Sequence, residues 1–154
     1  MEYLRTVEFD SVIPLDFNEV EFIDISCADE FLSRLLMRIG SGELGTRYVF
    51  IQGANPSVRE TMEAVLKLRG LTALLKQEEG VIIMGELKRP MKEALEVLIN
   101  RKQATSSDLA GVLDKNLNIV CNRLNVLQRL GLVCRVREGS VSGGGRQYYY
   151  ESIL

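Results

Sequence analysis

Residues 120–133 of the chain read Val120-Cys121-Asn122-Arg123-Leu124-Asn125-Val126-Leu127-Gln128-Arg129-Leu130-Gly131-Leu132-Val133. The apolar side chains Val120, Leu124 and Leu127 recur at the spacing of one buried face of an amphipathic helix. Asn116 stands where an N-cap is needed, and Gly131 stands where a helix commonly stops. The stretch therefore predicts a helix over residues 117–130 that passes directly into a strand over residues 132–137.

Further predicted elements lie on both sides of this helix. Before it, the patterns indicate a helix over residues 90–101 and a short helix over residues 104–113, capped by Thr105 or Ser106. A tight turn, Asp114-Lys115-Asn116, separates the short helix from the one above. After the strand, residues 138–145 predict a flexible glycine-rich loop and residues 146–150 a returning strand. The predicted order is three helices followed by a hairpin.

This order and these motifs are similar to winged-helix transcription regulators of the arsenic-repressor and multiple-antibiotic-resistance types. The match covers about residues 89–154. It rests on Ser106-Ser107-Asp108-Leu109-Ala110 in the short helix and on the ending formed by Leu124, Leu127, Gly131, Leu132 and Val133. In that family the third helix is the recognition helix, and its ending packs it onto the wing. The resemblance implies an α+β winged helix-turn-helix domain that binds duplex DNA.

The polar face of the third helix suits such a contact. Asn118, Asn122, Asn125 and Arg129 are four, three and four residues apart, so they share one face. Asparagine can pair with the edge of adenine, and arginine can pair with guanine or phosphate. The alternative is an ordinary solvated helix face. The predicted DNA-contacting set, with phosphate-binding and wing residues included, is Asn118, Asn122, Arg123, Asn125, Arg129, Arg135, Arg137 and Arg146.

The same helix carries a second apolar stripe. Ile119, Val126 and Leu130 stand where such helices often expose polar side chains. We expect the first domain, a second subunit or the first helix of the three to cover this stripe.

The first half alternates strand and helix patterns. Strands are predicted over residues 11–17 and 20–24, 47–52 and 80–85. A helix over residues 26–40 begins at Ser26 as N-cap, stops at Gly40 and buries Ala28, Phe31, Leu32, Leu35, Leu36 and Ile39. A second helix begins after Asn55 as N-cap with Pro56 at its first position, and it buries Val58, Met62, Val65 and Leu66. This alternation indicates an α/β layer with largely parallel strands.

This half resembles the STAS domain family, which includes the anti-anti-sigma factors. The resemblance covers about residues 10–87 and rests on the order of four motifs: Phe22-Ile23-Asp24-Ile25-Ser26 leading into a helix, strand Tyr48-Val49-Phe50-Ile51, turn Gly53-Ala54-Asn55-Pro56, and the ending Leu68-Arg69-Gly70-Leu71. In the family, a serine at the position of Ser26 can be phosphorylated by a partner kinase, which controls binding. The alternative interpretation is that Ser26 is a plain helix cap.

Composition excludes several classes of function. The chain has 154 residues, no His and no Trp, which removes most zinc sites and all His-based catalysis. Its three cysteines have no metal-binding spacing, and we expect Cys27 and Cys134 to be buried apolar filler. No phosphate-binding loop, paired-carboxylate motif, signal peptide or membrane-spanning run is recognisable. We therefore expect a cytoplasmic protein with no catalytic residues, metal or cofactor.

Charge divides between the halves. Residues 1–88 carry 9 Lys/Arg against 15 Asp/Glu, and residues 89–154 carry 10 against 6. The sequence thus predicts a STAS-like α/β domain (1–88) followed by a winged helix-turn-helix domain (89–154). The expected function is transcription regulation by a homodimer on a two-fold DNA site, with the first domain dimerising, sensing a signal or receiving a regulatory protein. The alternative is a partner-switching signalling protein controlled by phosphorylation of Ser26, with the second domain used for protein contacts.

Overall fold

A computed structural model describes residues 11–43, 47–140 and 146–154; for residue 11, residues 136–140 and residues 146–147 it describes the backbone alone. The chain divides into two compact units, Met1–Leu87 (unit 1) and Lys88–Leu154 (unit 2). The division lies one residue from the boundary expected from the sequence. Within the described ranges, no helix has the length and apolarity needed to cross a membrane.

Unit 1 is a four-stranded sheet with two helices. Its strands are β1 (Ser11–Asp16), β2 (Arg47–Gln52), β3 (Thr72–Gln77) and β4 (Gly80–Gly85), in the spatial order β1-β2-β3-β4. Strands β1, β2 and β3 are parallel, whereas β4 pairs with β3 in antiparallel fashion. Helix α1 covers residues 25–40 as the α-helix Ile25–Ala28, a π-helical segment Asp29–Ser33 and the α-helix Arg34–Gly40, and helix α2 is Pro56–Arg69.

The core of unit 1 lies between the helices and one face of the sheet. Its α2 side chains are the predicted ones, since Val58, Met62, Val65 and Leu66 are at most 1% exposed. The core cluster also takes in residues of the other elements: Phe17, Leu32, Ile51, Ala73, Leu75 and Met84. Strand β3 was not predicted from the sequence, where the ending Leu68-Arg69-Gly70-Leu71 was noted but no strand was assigned after it.

The strand predicted over residues 20–24 is absent, and the prediction was wrong. The carbonyl oxygens of Val20 and Glu21 instead accept hydrogen bonds from the Asn55 side-chain amide, at 3.2 and 3.0 Å. The same Asn55 side chain accepts the Val58 N–H at 2.8 Å as the predicted N-cap of α2. A side chain therefore satisfies backbone groups that a neighbouring strand would otherwise pair. Phe22, inside the motif that carried the STAS resemblance, is 72% exposed.

Helix α1 begins earlier than predicted. Its N-cap is Asp24, whose carboxylate accepts the Cys27 N–H at 2.7 Å, so Ser26 is not the cap. Cys27 is exposed, which contradicts its expected burial, whereas Cys134 is buried as expected. The π-helical segment adds a residue to one turn and shifts the phase of the apolar face. Phe31, predicted to be buried, is consequently 49% exposed, with its ring edge against Phe17.

Unit 2 combines three helices with a three-stranded sheet. Its elements in chain order are α3 (Arg89–Arg101), β5 (Gln103–Thr105), α4 (Ser106–Leu113), α5 (Leu117–Arg129), β6 (Val133–Ser140) and β7 (Arg146–Ser152). The sheet order is β5-β7-β6, and both pairings are antiparallel. The three predicted helices and the hairpin strands are confirmed, whereas β5 was not predicted. Residues 141–145 of the predicted glycine-rich loop lie outside the described residues.

The helix ends of unit 2 follow the sequence signals. Thr105 caps α4 in a reciprocal pair with Asp108, each side chain accepting the other's backbone N–H at 3.1 Å. Asn116 caps α5 by accepting the Ile119 N–H at 2.9 Å. Gly131 follows the end of α5 with a φ of 78°, a left-handed conformation that favours glycine. These caps set the length and the mutual spacing of α4 and α5.

Asn55 offers a test of how unit 1 is held together. We expect Asn55→Ser, which keeps an N-cap oxygen but loses both amide donors, to lower the free energy of unfolding by about 1 kcal/mol. Asn55→Ala, which also loses the cap, should lower it by about 2 kcal/mol. Urea unfolding followed by circular dichroism measures both values. Equal stability of the alanine variant and the parent would contradict the account.

Acid should weaken both units. Three carboxyl groups have a pKa below the ordinary 3.8: Asp24 through the Cys27 backbone N–H, Asp29 through hydrogen bonds from Arg69, and Asp108 through the Thr105 backbone N–H. Because each folded pKa is lower than the unfolded one, the stabilisation is present above pH 3.8 and is lost as the pH falls through the folded values. We expect the urea midpoint to drop between pH 7 and pH 3. The drop should be smaller in Asp29→Asn, and an identical drop in that variant would argue against the Asp29–Arg69 pair.

Candidate nucleic-acid interface

The rotation of α5 is set by its buried side. Val120, Leu124 and Leu127 are fully buried, as the sequence predicted. In a helix of 3.6 residues per turn, this leaves the opposite side to solvent. The exposed side carries Asn118, Asn122, Asn125 and Arg129. We call these four residues the polar face of α5.

The polar face is open and bears no negative charge. All four of its side chains are exposed, and none makes a hydrogen bond or ion pair with another residue that the structure describes. Helix α5 contains no Asp or Glu between Leu117 and Arg129. Three amides and one guanidinium therefore face solvent along about 16 Å of helix, at 1.5 Å per residue. These groups can donate to the base edges and phosphates of a nucleic acid.

Arg123 is placed differently from the prediction. It was expected to contact phosphate, but the side chain is only partly exposed, and Nη1 is buried with no hydrogen-bond partner among the described residues. Arg123 lies on the flank of α5, between the apolar stripe formed by Ile119, Val126 and Leu130 and the buried row.

Among the hairpin side chains that the structure describes, Arg135 is a further exposed cation. The guanidinium carbon of Arg135 on β6 lies 4.1 Å from the ring centroid of Tyr148 on β7. Arg135 also acts on the phenol of Tyr150, its partner across the two strands, and the residue remains exposed to solvent. Tyr148 was not part of the predicted site, although the pairing of the two strands brings it to Arg135. The structure does not describe the side chains of Arg137 and Arg146.

The second hairpin strand, β7, carries a buried tyrosine. Tyr150 is 7% exposed, and burial raises the pKa of its phenol above the ordinary value of 10.0. Tyr148 and Tyr149 are half-buried, so the three consecutive rings have unequal environments. Tyr150 anchors β7 to the unit while Tyr148 supports Arg135.

The apolar stripe of α5 is partly uncovered. Ile119 and Leu130 are 40% and 39% exposed, and Val126 is half-buried. The other elements of unit 2 therefore cover this stripe only in part. Val112 and Leu117 nearby in sequence are also exposed, at 52% and 47%.

The other predicted site residue lies in unit 1. Ser26 is exposed at the second position of α1, two residues after the capping carboxylate of Asp24. Among the residues that the structure describes, no group of three or more His, Cys, Asp or Glu side chains could hold a metal ion. No protein-family model matches the chain, and no curated protein matches it either.

Arg123 can be tested apart from any ligand. Replacing it with methionine keeps the apolar stem and removes the buried, unpartnered nitrogen, so Arg123→Met should leave stability unchanged or raise it by about 1 kcal/mol. Arg129→Met, on the exposed face, should change stability by no more than about 0.5 kcal/mol. Thermal unfolding measures both variants. A loss of more than about 1 kcal/mol in Arg123→Met would mean that the guanidinium has a partner.

Proposed function

We propose that unit 2 is a winged helix-turn-helix domain that binds duplex DNA, and that the protein regulates transcription through it. One observation carries the proposal: the side of α5 opposite its buried row presents Asn118, Asn122, Asn125 and Arg129 with no carboxylate among them. A helix of this kind fits the major groove, where amide and guanidinium groups read base edges.

The order of elements in unit 2 supports the same function. A helix, a short strand, two helices joined by the three-residue turn 114–116 and a β-hairpin follow the plan of winged-helix regulators. The hairpin, in which Arg135 is exposed on the ring of Tyr148, occupies the place of the wing. An arginine presented in this way suits a phosphate or a minor groove.

The charge of the second unit is compatible with this ligand. Residues 89–154 have a net charge of +4, compared with −6 for residues 1–88. This excess is modest for a DNA-binding domain, and a two-fold dimer doubles the number of phosphate contacts. We therefore propose that a homodimer binds a palindromic site.

Unit 1 would serve dimerisation, sensing or the binding of a regulatory protein. The partner-switching alternative has one supporting observation: the exposed Ser26 lies close in sequence to Phe22 and Ile25, which are 72% and 59% exposed. Against it, the Asp24 carboxylate already caps the same helix end, and it would repel a phosphate on Ser26. DNA binding is accordingly our first proposal.

A mobility-shift titration of the full chain, using genomic fragments enriched by selection, tests DNA binding. We expect affinity to fall steeply as salt rises, because binding releases counterions from phosphates. Asn122→Ala and Asn125→Ala should each weaken binding to the selected site by about tenfold or more, since a bidentate base contact is worth about 1–3 kcal/mol. Arg129→Ala should also reduce the slope of log affinity against log salt by about 1 if it contacts phosphate.

Asn100→Ala is the matched control, because Asn100 is an exposed asparagine on another helix of the same unit. Its affinity should equal that of the parent. Failure to shift any fragment at low salt, or equal loss of affinity in the Asn100 and Asn122 variants, would overturn the proposed function.

A further inference from the structure

Strand β4 is an outer strand of the unit 1 sheet, and among the described residues no other strand pairs with its outer side. In the order β1-β2-β3-β4 it has a partner on one side, β3, and their register runs without a break from Thr72↔Gly85 to Gln77↔Gly80. Its sequence, Gly80-Val81-Ile82-Ile83-Met84-Gly85, contains no charge and no proline. The other outer strand, β1, carries Pro14 and Asp16. Proteins usually blunt such edges with charges, prolines or bulges, and β4 has none of these.

The direction of the free backbone groups on β4 follows from one hydrogen bond. The Gly85 N–H is donated to Glu63 Oε1 at 3.1 Å, so it points away from β3. The Glu86 N–H points the other way, to the Leu71 carbonyl oxygen at 3.0 Å. Alternate residues of an antiparallel strand direct their N–H and C=O groups to the same side. Val81 and Ile83 therefore present both groups outward, with Ile82 between them.

A groove runs beside this edge. It has a volume of about 860 Å³ and lies between α2 and β4, with Arg59, Glu60, Glu63, Lys67, Ile82 and Ile83 among its lining. Its floor is apolar at Ile82 and Ala64. Lys67 lies 3.5 Å from Glu63, whereas Arg59 and Glu60 form no ion pair with another described residue. The wall of the groove therefore carries two adjacent residues of opposite charge that form no ion pair with another described residue.

The positions of Arg59 and Glu60 along the direction of β4 follow from the topology. Helix α2 joins the parallel strands β2 and β3, so it runs antiparallel to both and parallel to β4. Ile82 precedes Gly85 by roughly 10 Å of strand, which equals roughly seven residues of helix before Glu63. Arg59 and Glu60 thus lie within roughly one helical turn of the level of Ile82.

We propose that β4 is the interface on which a second copy of this chain docks, by antiparallel pairing about a two-fold axis at Ile82. Val81 of one copy then pairs with Ile83 of the other, and the two Ile82 side chains meet in the groove. The axis brings Arg59 of each copy towards Glu60 of its partner, because the two charges are neighbours close to the axis. The two four-stranded sheets become one sheet of eight strands. This interface does not depend on DNA binding.

The oligomeric state of the full chain tests the proposal, with sedimentation equilibrium over a range of concentrations. We expect the parent to form a dimer of twice 17.3 kDa. Ile83→Pro removes an outward N–H that the fold does not use and blocks the edge, so this variant should be a folded monomer. Ile83→Val keeps the N–H and the β-branched side chain, and it should remain dimeric.

A charge exchange tests the pairing without touching the strand. Arg59→Glu should raise the dimer dissociation constant by about tenfold or more, because two like charges then face each other across each half of the interface. The double variant Arg59→Glu with Glu60→Arg restores opposite charges and should return the constant to near the parent value.

Three outcomes would overturn the proposal: a parent that stays monomeric at all concentrations, an Ile83→Pro variant that is folded and dimeric, and a double variant no tighter than Arg59→Glu. If Ile83→Pro does not fold by circular dichroism, the charge-exchange pair decides alone. A dimer that binds no DNA would leave this interface standing and would refute only the proposed function.

Discussion

Burial of Val120, Leu124 and Leu127 is the constraint on which the second unit depends. These side chains are fully buried, and they fix the rotation of α5 about its axis. A rotation that put the next residue at each of these places would bury the amides of Asn125 and Gln128 without partners and expose leucine, at a cost of several kcal/mol. The polar face of α5 is therefore a consequence of core packing and does not need any ligand to hold it in place.

Unit 1 relies on a different device. Asn55 satisfies the first turn of α2 and two carbonyl groups of the segment before α1 with a single side chain. This arrangement lets residues 20–24 run beside the helix without a ladder of their own. It also shows why a pattern of alternating apolar residues is weak evidence for a strand, because the pattern does not reveal whether a strand partner is available.

The outer strand β4 and the polar face of α5 show two ways in which a surface stays open. The face of α5 is hydrophilic, so water satisfies it in the free protein. The edge of β4 is apolar, and at Val81 and Ile83 its outward N–H and C=O groups pair with no described strand, so they favour another strand. The polar face of α5 thus suits a hydrophilic partner, whereas the edge of β4 suits another strand.

Local signals in the sequence determined much of this protein. The caps Asn55 and Asn116 and the buried faces of α2 and α5 were recognisable because capping and helical periodicity depend on residues within one or two turns. The cap of α4 was narrowed to Thr105 or Ser106, and the structure selects Thr105. The tertiary structure alone decided the loss of strand 20–24, the π-helical segment that exposes Phe31, the strands β3 and β5, and the burial of one Arg123 nitrogen. Each of these depends on which distant residue lies alongside, and a linear pattern holds no record of that neighbour.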